Sequence, residues 1–418
     1  MSRIVETVLP SRLGRSFRWL LGSSWITNLG DGVALAAGPL LMASQTRDPR
    51  LVAMALLVQR LPFLLLGLYA GAIADRLDRR LIVVLVNSVR AAILTGLAVS
   101  IGTGHVNVTV VLAALFALGV AETFADTTTA TLLPMMVAKA DLGIANARLM
   151  AGFLTANQLV GPPIGAMLFA AGMTLPFVTQ AVLMAMGALL ISRIVVAAPE
   201  RRADRPPVRR EVADGIRWLW NHPPIRTLAL TVFAFNITFG AAWSVLVLLA
   251  IDRLEMGELG YGLMITVGAL GGLTATAAYG WLERTFSLAN IMRVGLLVET
   301  TTHLVLATTT IPWVALLVLY AFGAHAFVWG TLSTSIRQRA VPTQVQGRVS
   351  SVYLLGGIGG LVVGSGLGGL IAGAWGVTAP FWFGFVGSAL ILLLIWRQLE
   401  HIAHADEHPT APGSASPA

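Results

Sequence analysis

Long apolar runs alternate with short polar segments along almost the whole of the 418-residue chain. Two of these runs, 149–192 and 349–396, contain no Asp, Glu, Lys or Arg at all. A helix that crosses a bilayer needs about 20 apolar residues, so each run is long enough for two such helices. Gly and Pro mark a break inside each run, at 172–176 and at 373–380, where a helix is expected to end.

Applied to the whole chain, the pattern predicts twelve membrane-spanning helices. The predicted spans are 19–41, 51–73, 81–101, 108–133, 149–171 and 177–197 in the first half, and 227–251, 261–281, 288–308, 313–335, 350–372 and 381–396 in the second. The predicted fold class is therefore an all-α membrane protein. Its expected parts are an N-terminal six-helix bundle (1–197), a cytoplasmic linker with an interfacial helix (198–226), a C-terminal six-helix bundle (227–396) and a disordered cytoplasmic tail (397–418).

The placement of positive charge predicts the orientation of these helices. Of the 28 Arg and Lys residues, 23 fall on one side of the predicted spans, three fall on the other side, and Arg60 and Arg90 fall inside spans. Because cytoplasmic loops carry an excess of Arg and Lys, both termini are predicted to be cytoplasmic. The excess of Arg over a single Lys indicates a GC-rich bacterial genome, so the expected location is the inner membrane of a bacterium.

Composition supports a membrane protein and excludes several functions. Only 11% of residues are charged, against about 25% in soluble proteins. The one lysine, Lys139, follows Ala138, so the chain has no G-x-x-x-x-G-K-[ST] phosphate loop. The chain has no Cys for thiolate metal sites or thiol nucleophiles and no familiar catalytic motif. We therefore expect neither an enzyme nor a cofactor or metal. The net charge of +8 lies between the spans, which argues against a nucleic-acid partner.

The two halves of the chain repeat each other weakly. At an offset of 208 residues, Arg18 matches Arg226, Asn28 matches Asn236 and Gly32 matches Gly240. After the fourth helix the offset becomes 203, and the pair Gly161 and Gly165 matches Gly364 and Gly368. Two parallel six-helix repeats around a site at the membrane midplane are an architecture of transporters.

A ten-residue segment between the second and third spans is the most specific motif. It reads Gly71-Ala-Ile-Ala-Asp75-Arg76-Leu-Asp78-Arg79-Arg80 and resembles the G-x-L-A-D-R-x-G-R-[RK] loop motif of the major facilitator superfamily, with Asp78 in place of the second Gly. The resemblance implies that Gly71 permits close helix approach and that Asp75 accepts bonds from a neighbouring helix N-terminus. It also implies that Arg76, Arg79 and Arg80 form ion pairs that latch the halves. The alternative is that these arginines only cap helix ends.

A second motif, Gly161-Pro162-Pro163-Ile164-Gly165, lies on the fifth span. It resembles the glycine-proline element of exporters in the same superfamily, where a tightly packed kink favours antiport. Pro kinks a helix because it removes a backbone hydrogen bond, and small residues allow close packing. Packing alone is the alternative role.

Taken together, the motifs resemble the superfamily's branch of drug, macrolide and siderophore exporters of the proton antiporter type. The other elements of this resemblance are Phe17-Arg18-Trp19, Asn28-Leu29-Gly30-Asp31 and Gln346-Gly347-Arg348-Val349. The resemblance covers nearly the whole chain. One departure is the fourth span, which lacks the Arg that many proton antiporters of the superfamily carry there.

Three acidic residues inside spans are the candidate proton-coupling groups. A charged side chain at a helix centre costs about 2.5–3.5 kcal/mol on insertion scales, so such residues indicate function. Asp31 lies near the midplane on the first span, whereas Glu122 and Asp126 share one face of the fourth span. Two alternatives are open: a neighbouring hydroxyl or Arg60 satisfies Asp31, and Arg90 forms a structural pair with Asp126.

In the superfamily, the first, fourth, seventh and tenth helices line the substrate cavity. The resemblance therefore assigns substrate binding to five side chains on these helices, Asn28, Asn236, Trp243, His325 and Trp329. Acidic and aromatic groups favour amphipathic, cationic or polycyclic substrates through apolar contact and cation–π attraction. A packing role for Trp243 and Trp329 is the alternative. Glu299 and His303, four residues apart on the ninth span, are expected to form a local pair.

The sequence thus predicts a secondary active transporter, a monomer in the lipid bilayer. It is expected to export amphipathic small molecules, such as drugs, antibiotics or siderophore-like compounds, in exchange for protons and by alternating access. An uptake symporter or a lipid flippase on the same fold is the alternative transporter. A membrane receptor or enzyme that transports nothing is the alternative from another class.

Overall fold

The computed structural model describes residues 13–74, 77–195 and 208–403, which form twelve helical rods in two groups of six. The N-terminal bundle consists of α1 (Gly14–Gln45), α2 (Pro49–Ala74), α3 (Arg79–Gly102), α4 (Val108–Leu132), α5 (the consecutive segments Leu142–Gly152, Phe153–Val160 and Gly161–Ala171) and α6 (Leu175–Ile191). The C-terminal bundle consists of α7 (Pro223–Trp243, continued by Leu246–Leu248 and Leu249–Arg253), α8 (Gly257–Thr285), α9 (Leu288–Thr308), α10 (Pro312–Ala340), α11 (Gln346–Trp375) and α12 (Ala379–Ile395).

Length and hydropathy agree with a membrane location for these rods. Within the described ranges, nine helices are long and apolar enough to cross a bilayer, and α6 and α12 are shorter apolar helices of 17 residues each. The remaining rod, α5, is divided into three segments. The predicted fold class, an all-α membrane protein built from two six-helix bundles, is confirmed.

Local sequence signals set the helix boundaries. The side chains of Asn107 and Ser287 accept hydrogen bonds from backbone N–H groups in the first turns of α4 and α9, as N-caps do. The bounds of α9 agree with the predicted span 288–308. In contrast, α5 begins seven residues before its predicted start at 149. Its first turns carry the polar Asn146 and Arg148, which an apolar-run pattern does not include.

The middle of α5 is a π-helix, Phe153–Val160, directly before the Gly161-Pro162-Pro163 sequence. Proline lacks a backbone N–H, and its ring clashes with the preceding turn of an α-helix. A π segment is one way in which a helix accommodates such a disruption. The sequence predicts a kink at Pro162; the structure shows a π segment, with its wider turns, on the N-terminal side of the prolines.

The two ends of the molecule differ in how the bundles pack. The odd-numbered helices begin at one end of the molecule, which we name the basic end because Arg79, Arg80 and most of the other described Arg residues lie there. We name the opposite end the distal end. At the distal end, one cluster of buried apolar side chains contains residues of both bundles, for example Leu41 of α1 and Leu316 of α10. At the basic end, the described residues form separate clusters, one in each bundle. The apolar core shared by the two bundles therefore lies at the distal end, whereas each apolar cluster at the basic end stays within one bundle.

Close backbone contacts repeat the sequence symmetry in three dimensions. A Cβ atom on Gly165 of α5 would overlap the backbone of Val33 in α1. At the matching positions of the C-terminal bundle, a Cβ on Gly368 of α11 would overlap the backbone of Ala241 in α7. Small residues thus let α5 approach α1, and α11 approach α7, in the same way.

Two short α-helices lie outside the rods, in addition to two 3₁₀ turns between α4 and α5. The linker helix, Val208–Trp220, docks on the start of α11, where the Asp214 carboxylate lies 3.5 Å from the Arg348 guanidinium. The tail helix, Gln398–Ala403, buries Leu399 and Ile402 against the C-terminal bundle. The first part of the predicted disordered tail is thus helical. The remainder, 404–418, and the start of the linker, 196–207, lie outside the described residues.

Candidate functional site

An ion pair between α1 and α3 lies inside the N-terminal bundle. The Arg90 guanidinium donates a hydrogen bond to the Asp31 carboxylate, and the two side chains are 5% and 23% exposed. The alternatives considered from the sequence are therefore wrong about the partner: Asp31 pairs with Arg90 rather than Arg60, and Arg90 pairs with Asp31 rather than Asp126. Arg60 of α2 instead lies 3.9 Å from the Glu122 carboxylate of α4.

Three carboxylates and two guanidinium groups gather around this pair. Asp31, Glu122 and Asp126 interact electrostatically with one another and with Arg60 and Arg90. When all five groups are ionised, their formal charges sum to −1. The Asp126 side chain is exposed in the structure. The cluster is therefore one positive charge short of neutrality, which one proton or one monovalent cation supplies.

A small polar cavity adjoins the ion pair. Its volume is about 80 Å³, and its polar lining consists of Ser23, Ser24, Thr27, Asn28, Asp31, Asn87, Arg90, Asp126 and Thr129. A water molecule needs roughly 10–15 Å³ of such space, whereas drug-sized ligands occupy cavities of about 300–1,000 Å³. The cavity is therefore suited to a few water molecules rather than to a drug-sized ligand. Asn28, a predicted substrate contact, lies in this cavity and donates its amide to the Ser24 carbonyl at 2.8 Å.

In the C-terminal bundle, a group of aromatic rings includes the position that the repeat matches to Asp31. Phe239 and Trp243 of α7 and Phe322 of α10 form what we name the aromatic cluster, with ring centroids 4.3–5.7 Å apart. Phe239 matches Asp31 in the repeat, so an aromatic ring stands where the first half has a carboxylate. Trp243 thus packs among aromatic rings and against the shared apolar cluster. Asn236 of α7 lies against Gly357 and Gly360 of α11, and its amide donates to the Val232 carbonyl.

A buried polar pair joins α9 to α10. The His325 Nε2 atom lies 3.2 Å from a Glu299 carboxylate oxygen, and both side chains are buried. The predicted local pair between Glu299 and His303 is therefore wrong. His303 is fully buried beside Trp243, and neither of its ring nitrogens has a hydrogen-bond partner among the described residues. Trp329 lies next to His325, with ring centroids 6.0 Å apart.

The segment after α2 holds helix ends of the N-terminal bundle together. Arg79 donates to the Ala74 carbonyl at 3.1 Å, and Arg80 donates to the Ser192 carbonyl at the end of α6. The Asp78 carboxylate caps α3 by accepting bonds from the backbone N–H groups of Arg80 and Leu81. This cap explains the Asp found where the resembling motif has Gly. Two residues of the motif, Asp75 and Arg76, lie outside the described residues.

Gly71, by contrast, is not a point of close approach. A Cβ atom there would lie 3.7 Å from the Cγ2 atom of Thr127, which is an ordinary van der Waals distance. The close helix approach expected at Gly71 is therefore not present.

The glycine-proline element of α5 lies between the two bundles. On one side, Cβ atoms on Gly161 and Gly165 would overlap the backbone of α1. On the other side, a Cβ on Gly262 of α8 would lie 3.1 Å from the Pro162 carbonyl oxygen and would clash with Ala166. A change in the shape of α5 therefore alters contacts both within its own bundle and across to the other.

The sequence did not indicate which side chains pair with Arg90 and His325. The partner of Arg90 lies 59 residues away and that of His325 lies 26 residues away, so neither follows from helical spacing. Phe239 had a signal in its match to Asp31 in the repeat. Phe322 lies three residues from His325, on a helix already expected to line the cavity.

Comparisons with known proteins agree with this architecture. The model of the family described as transmembrane secretion effector matches residues 9–415. The multidrug efflux pump Tap of Mycolicibacterium fortuitum is 31% identical over 353 residues, which cover 80% of this chain and 83% of that protein.

Two solved transporter structures share the fold. An inward-facing bacterial homologue of the iron transporter ferroportin matches with a TM-score of 0.72 at 18% identity, covering 93% of this chain and 98% of that one. The nucleoside transporter NupG matches with a TM-score of 0.70 at 12% identity, covering 95% of this chain and 100% of that one. The chain is therefore a multi-pass membrane transporter that belongs to the transmembrane secretion effector family of the major facilitator superfamily.

Proposed function

We propose that this transporter exports amphipathic organic molecules, including drugs, in exchange for protons and by alternating access. The observation that carries the proposal is the buried Asp31–Arg90 pair within a charged cluster that lacks one positive charge for neutrality. Ionisable groups inside a membrane protein mark proton relays and ion pathways. The similarity to Tap, a multidrug efflux pump, supports drugs as the substrate class.

The proton step follows from the ion pair. A proton that binds the Asp31 carboxylate neutralises it and removes the charge that holds the Arg90 guanidinium. Arg90 is then attracted by Glu122 and Asp126, whose charges already act on it. When the proton leaves Asp31, the Asp31–Arg90 pair forms again. The pair therefore has two arrangements, and the proton on Asp31 selects between them.

The substrate contacts come from both bundles. Trp243 and its aromatic neighbours offer flat apolar surfaces to an amphipathic molecule, with attraction for a cationic group. We also assign substrate contacts to Asn236, His325 and Trp329, and to Asn28 in a state in which the small cavity beside Asp31 is wider. A cationic substrate and a proton would compete for the same negative charge, so binding of one favours release of the other.

The packing of the two ends supports alternating access. With the basic end facing the cytoplasm, as the arginine placement predicts, the bundles are closed on the outside and separate on the cytoplasmic side. Opening to the outside requires one bundle to rock against the other. Gly161, Pro162 and Gly165 lie at the contact that must adjust, and Arg79 and Arg80 are placed to form new contacts when the basic end closes.

Inside-out vesicles with an acid interior and a pH-sensitive dye test the proposal. Cationic drugs, macrolides and siderophores are added in turn to vesicles that contain the wild type, Asp31→Asn or Asp48→Asn. Asp48 is the matched control because it caps the start of α2 through the Arg50 N–H, a bond that Asn also makes.

The expected result is that a transported compound releases protons from wild-type and Asp48→Asn vesicles but not from Asp31→Asn vesicles. If Asp31→Asn vesicles release protons as the wild type does, Asp31 is not the coupling group. If the wild type moves a compound equally well without a proton gradient, the antiport mechanism is wrong.

A further inference from the structure

An apolar groove lies between α8 and α9, with α10 as its floor. Its volume is about 390 Å³, which is within the range of drug-sized ligands. Its apolar walls include Leu282, Phe286, Val294, Val298, Val328 and Leu332. Phe286 and Val294 on the rim are 46% and 60% exposed, whereas Val328 on the floor is buried. The groove is therefore open at the protein surface that the bilayer covers.

Glycine contacts explain where the groove begins. A Cβ on Gly323 of α10 would overlap the backbone of Gly268 in α8, and one on Gly271 would overlap the backbone of Tyr320. The two helices thus touch backbone to backbone at this crossing. From Ala275 onward, α8 lines the groove instead, and the groove extends to Phe286 at the basic end. It therefore occupies the half of the membrane nearest the basic end.

The inner end of the groove carries the His325–Glu299 pair. A Cβ on Gly295 would overlap the His325 ring, so only Gly at position 295 lets the ring lie against α9. His325 lines the groove and is bonded behind it to Glu299. Its ring also lies 6.2 Å from that of Phe322, which belongs to the aromatic cluster. The groove and the aromatic cluster thus meet at His325.

We propose that this groove is a lateral binding site through which an amphipathic organic substrate passes from the inner leaflet towards the aromatic cluster. The proposal rests on the proposed export function. An apolar lining disfavours a hydrated ion, and the volume suits the body of a drug-sized molecule. The His325–Glu299 pair offers one polar contact at the inner end, and its contact with Phe322 makes the groove continuous with the proposed substrate site. A phospholipid acyl chain is the competing occupant.

Because the chain has no Cys, single Cys variants report on the groove directly. A nitroxide spin label is attached to Val294→Cys on the rim, and to Leu297→Cys as the matched control. Leu297 is 45% exposed on the same helix but does not line the groove. The proteins are placed in nanodiscs of phosphatidylethanolamine and phosphatidylglycerol, and the amphipathic, weakly basic dye Hoechst 33342 is added.

Hoechst 33342 is expected to immobilise the label at position 294 in a saturable manner and to leave the label at 297 unchanged. If the dye changes neither label, or changes both equally, the groove is not a site for such molecules. If mobility at 294 responds to acyl-chain length but not to the dye, lipid is the occupant and the proposal is overturned.

A transport assay gives a second test. Val294→Trp narrows the rim without touching the buried pair and is expected to raise the KM for Hoechst 33342 at least fivefold. Leu297→Trp is expected to change it less than twofold. Equal KM values for the two variants would contradict the lateral route. Proton coupling, measured separately with Asp31→Asn, can fail without altering the spin-label result, so failure of the export mechanism is distinguishable from failure of the groove proposal.

Discussion

Arg47, in the loop between α1 and α2, forms an ion pair with Asp252 at the end of α7, with 3.1 Å between the Nη1 and Oδ1 atoms. The pair crosses from the N-terminal to the C-terminal bundle at the distal end, where the shared apolar cluster also lies. Any opening of the distal end must therefore separate Arg47 from Asp252. The two side chains are about half exposed, so water screens their attraction.

Asp252→Asn is predicted to shift the balance towards the distally open form only slightly. Exposed ion pairs contribute about 0–1 kcal/mol, which corresponds to a shift of up to about fivefold. The measurement is the distance between spin labels at His105→Cys and Ile311→Cys, which lie at the distal ends of the two bundles. The charge-swapped protein, Arg47→Asp with Asp252→Arg, is expected to restore the wild-type distances. A shift of more than tenfold would mean that the ion pair, rather than apolar packing, holds the distal end closed.

Gly165→Ala is predicted to destabilise the protein by about 1–3 kcal/mol, because the added methyl group meets the Val33 backbone in a well-packed contact. Gly143→Ala on the same rod is the matched control, since open space surrounds its Cβ position and Ala favours a helix over Gly. Thermal unfolding in detergent, followed by tryptophan fluorescence, compares them. We also expect Gly71→Ala to unfold like the wild type, since its added methyl group makes only ordinary contact. If Gly71→Ala lost as much stability as Gly165→Ala, the difference in packing between the two positions would be contradicted.

Asp78 is predicted to act as the N-cap of α3 rather than as a member of a charge latch. Asp78→Ala is expected to cost about 0.5–2 kcal/mol of stability, Asp78→Gly only a few tenths, and Asp78→Asn almost nothing. The reason is that Asn keeps an oxygen for the N–H groups of Arg80 and Leu81. Unfolding in a denaturant series ranks the stabilities of the three variants against the wild type. If Asn is as harmful as Ala, the charge of Asp78 matters and the capping explanation is wrong.

The apolar pattern predicted an all-helical membrane fold and the order of its apolar segments because each segment carries its own signal. Its error at the start of α5 has a local cause, since the polar first turns hide the helix start. An apolar pattern also does not distinguish the π segment before Pro162 from an α-helix. Helical spacing also gives the depth of a side chain but not the neighbour it faces. Similar depth makes Asp126 an alternative partner for Arg90, yet the residue that pairs with Arg90 is Asp31, on a different helix. Buried pairs such as Glu299–His325 therefore required the structure.

The charge balance around Arg90 leads to the last prediction. Arg90→Leu leaves Asp31, Glu122 and Asp126 with Arg60 as the one remaining cation of the cluster, so its formal charge changes from −1 to −2. Removing one partner of a buried ion pair costs about 3–5 kcal/mol in soluble proteins, and a loss of this order is expected here. Asp31→Asn should cost less, because Arg90 keeps the attraction of Glu122 and Asp126. Thermal unfolding of the single variants measures this order.

The double variant shows whether the loss of stability in Arg90→Leu comes from breaking the Asp31–Arg90 ion pair. Adding Asp31→Asn to Arg90→Leu returns the formal charge of the cluster to −1 and removes the carboxylate that had lost its partner. The double variant is therefore expected to be more stable than Arg90→Leu alone, with a coupling energy above about 1 kcal/mol, as contacting residues show. Additive losses would mean that Arg90 stabilises the bundle through packing of its side chain, and that the charge of Asp31 is balanced from elsewhere in the cluster.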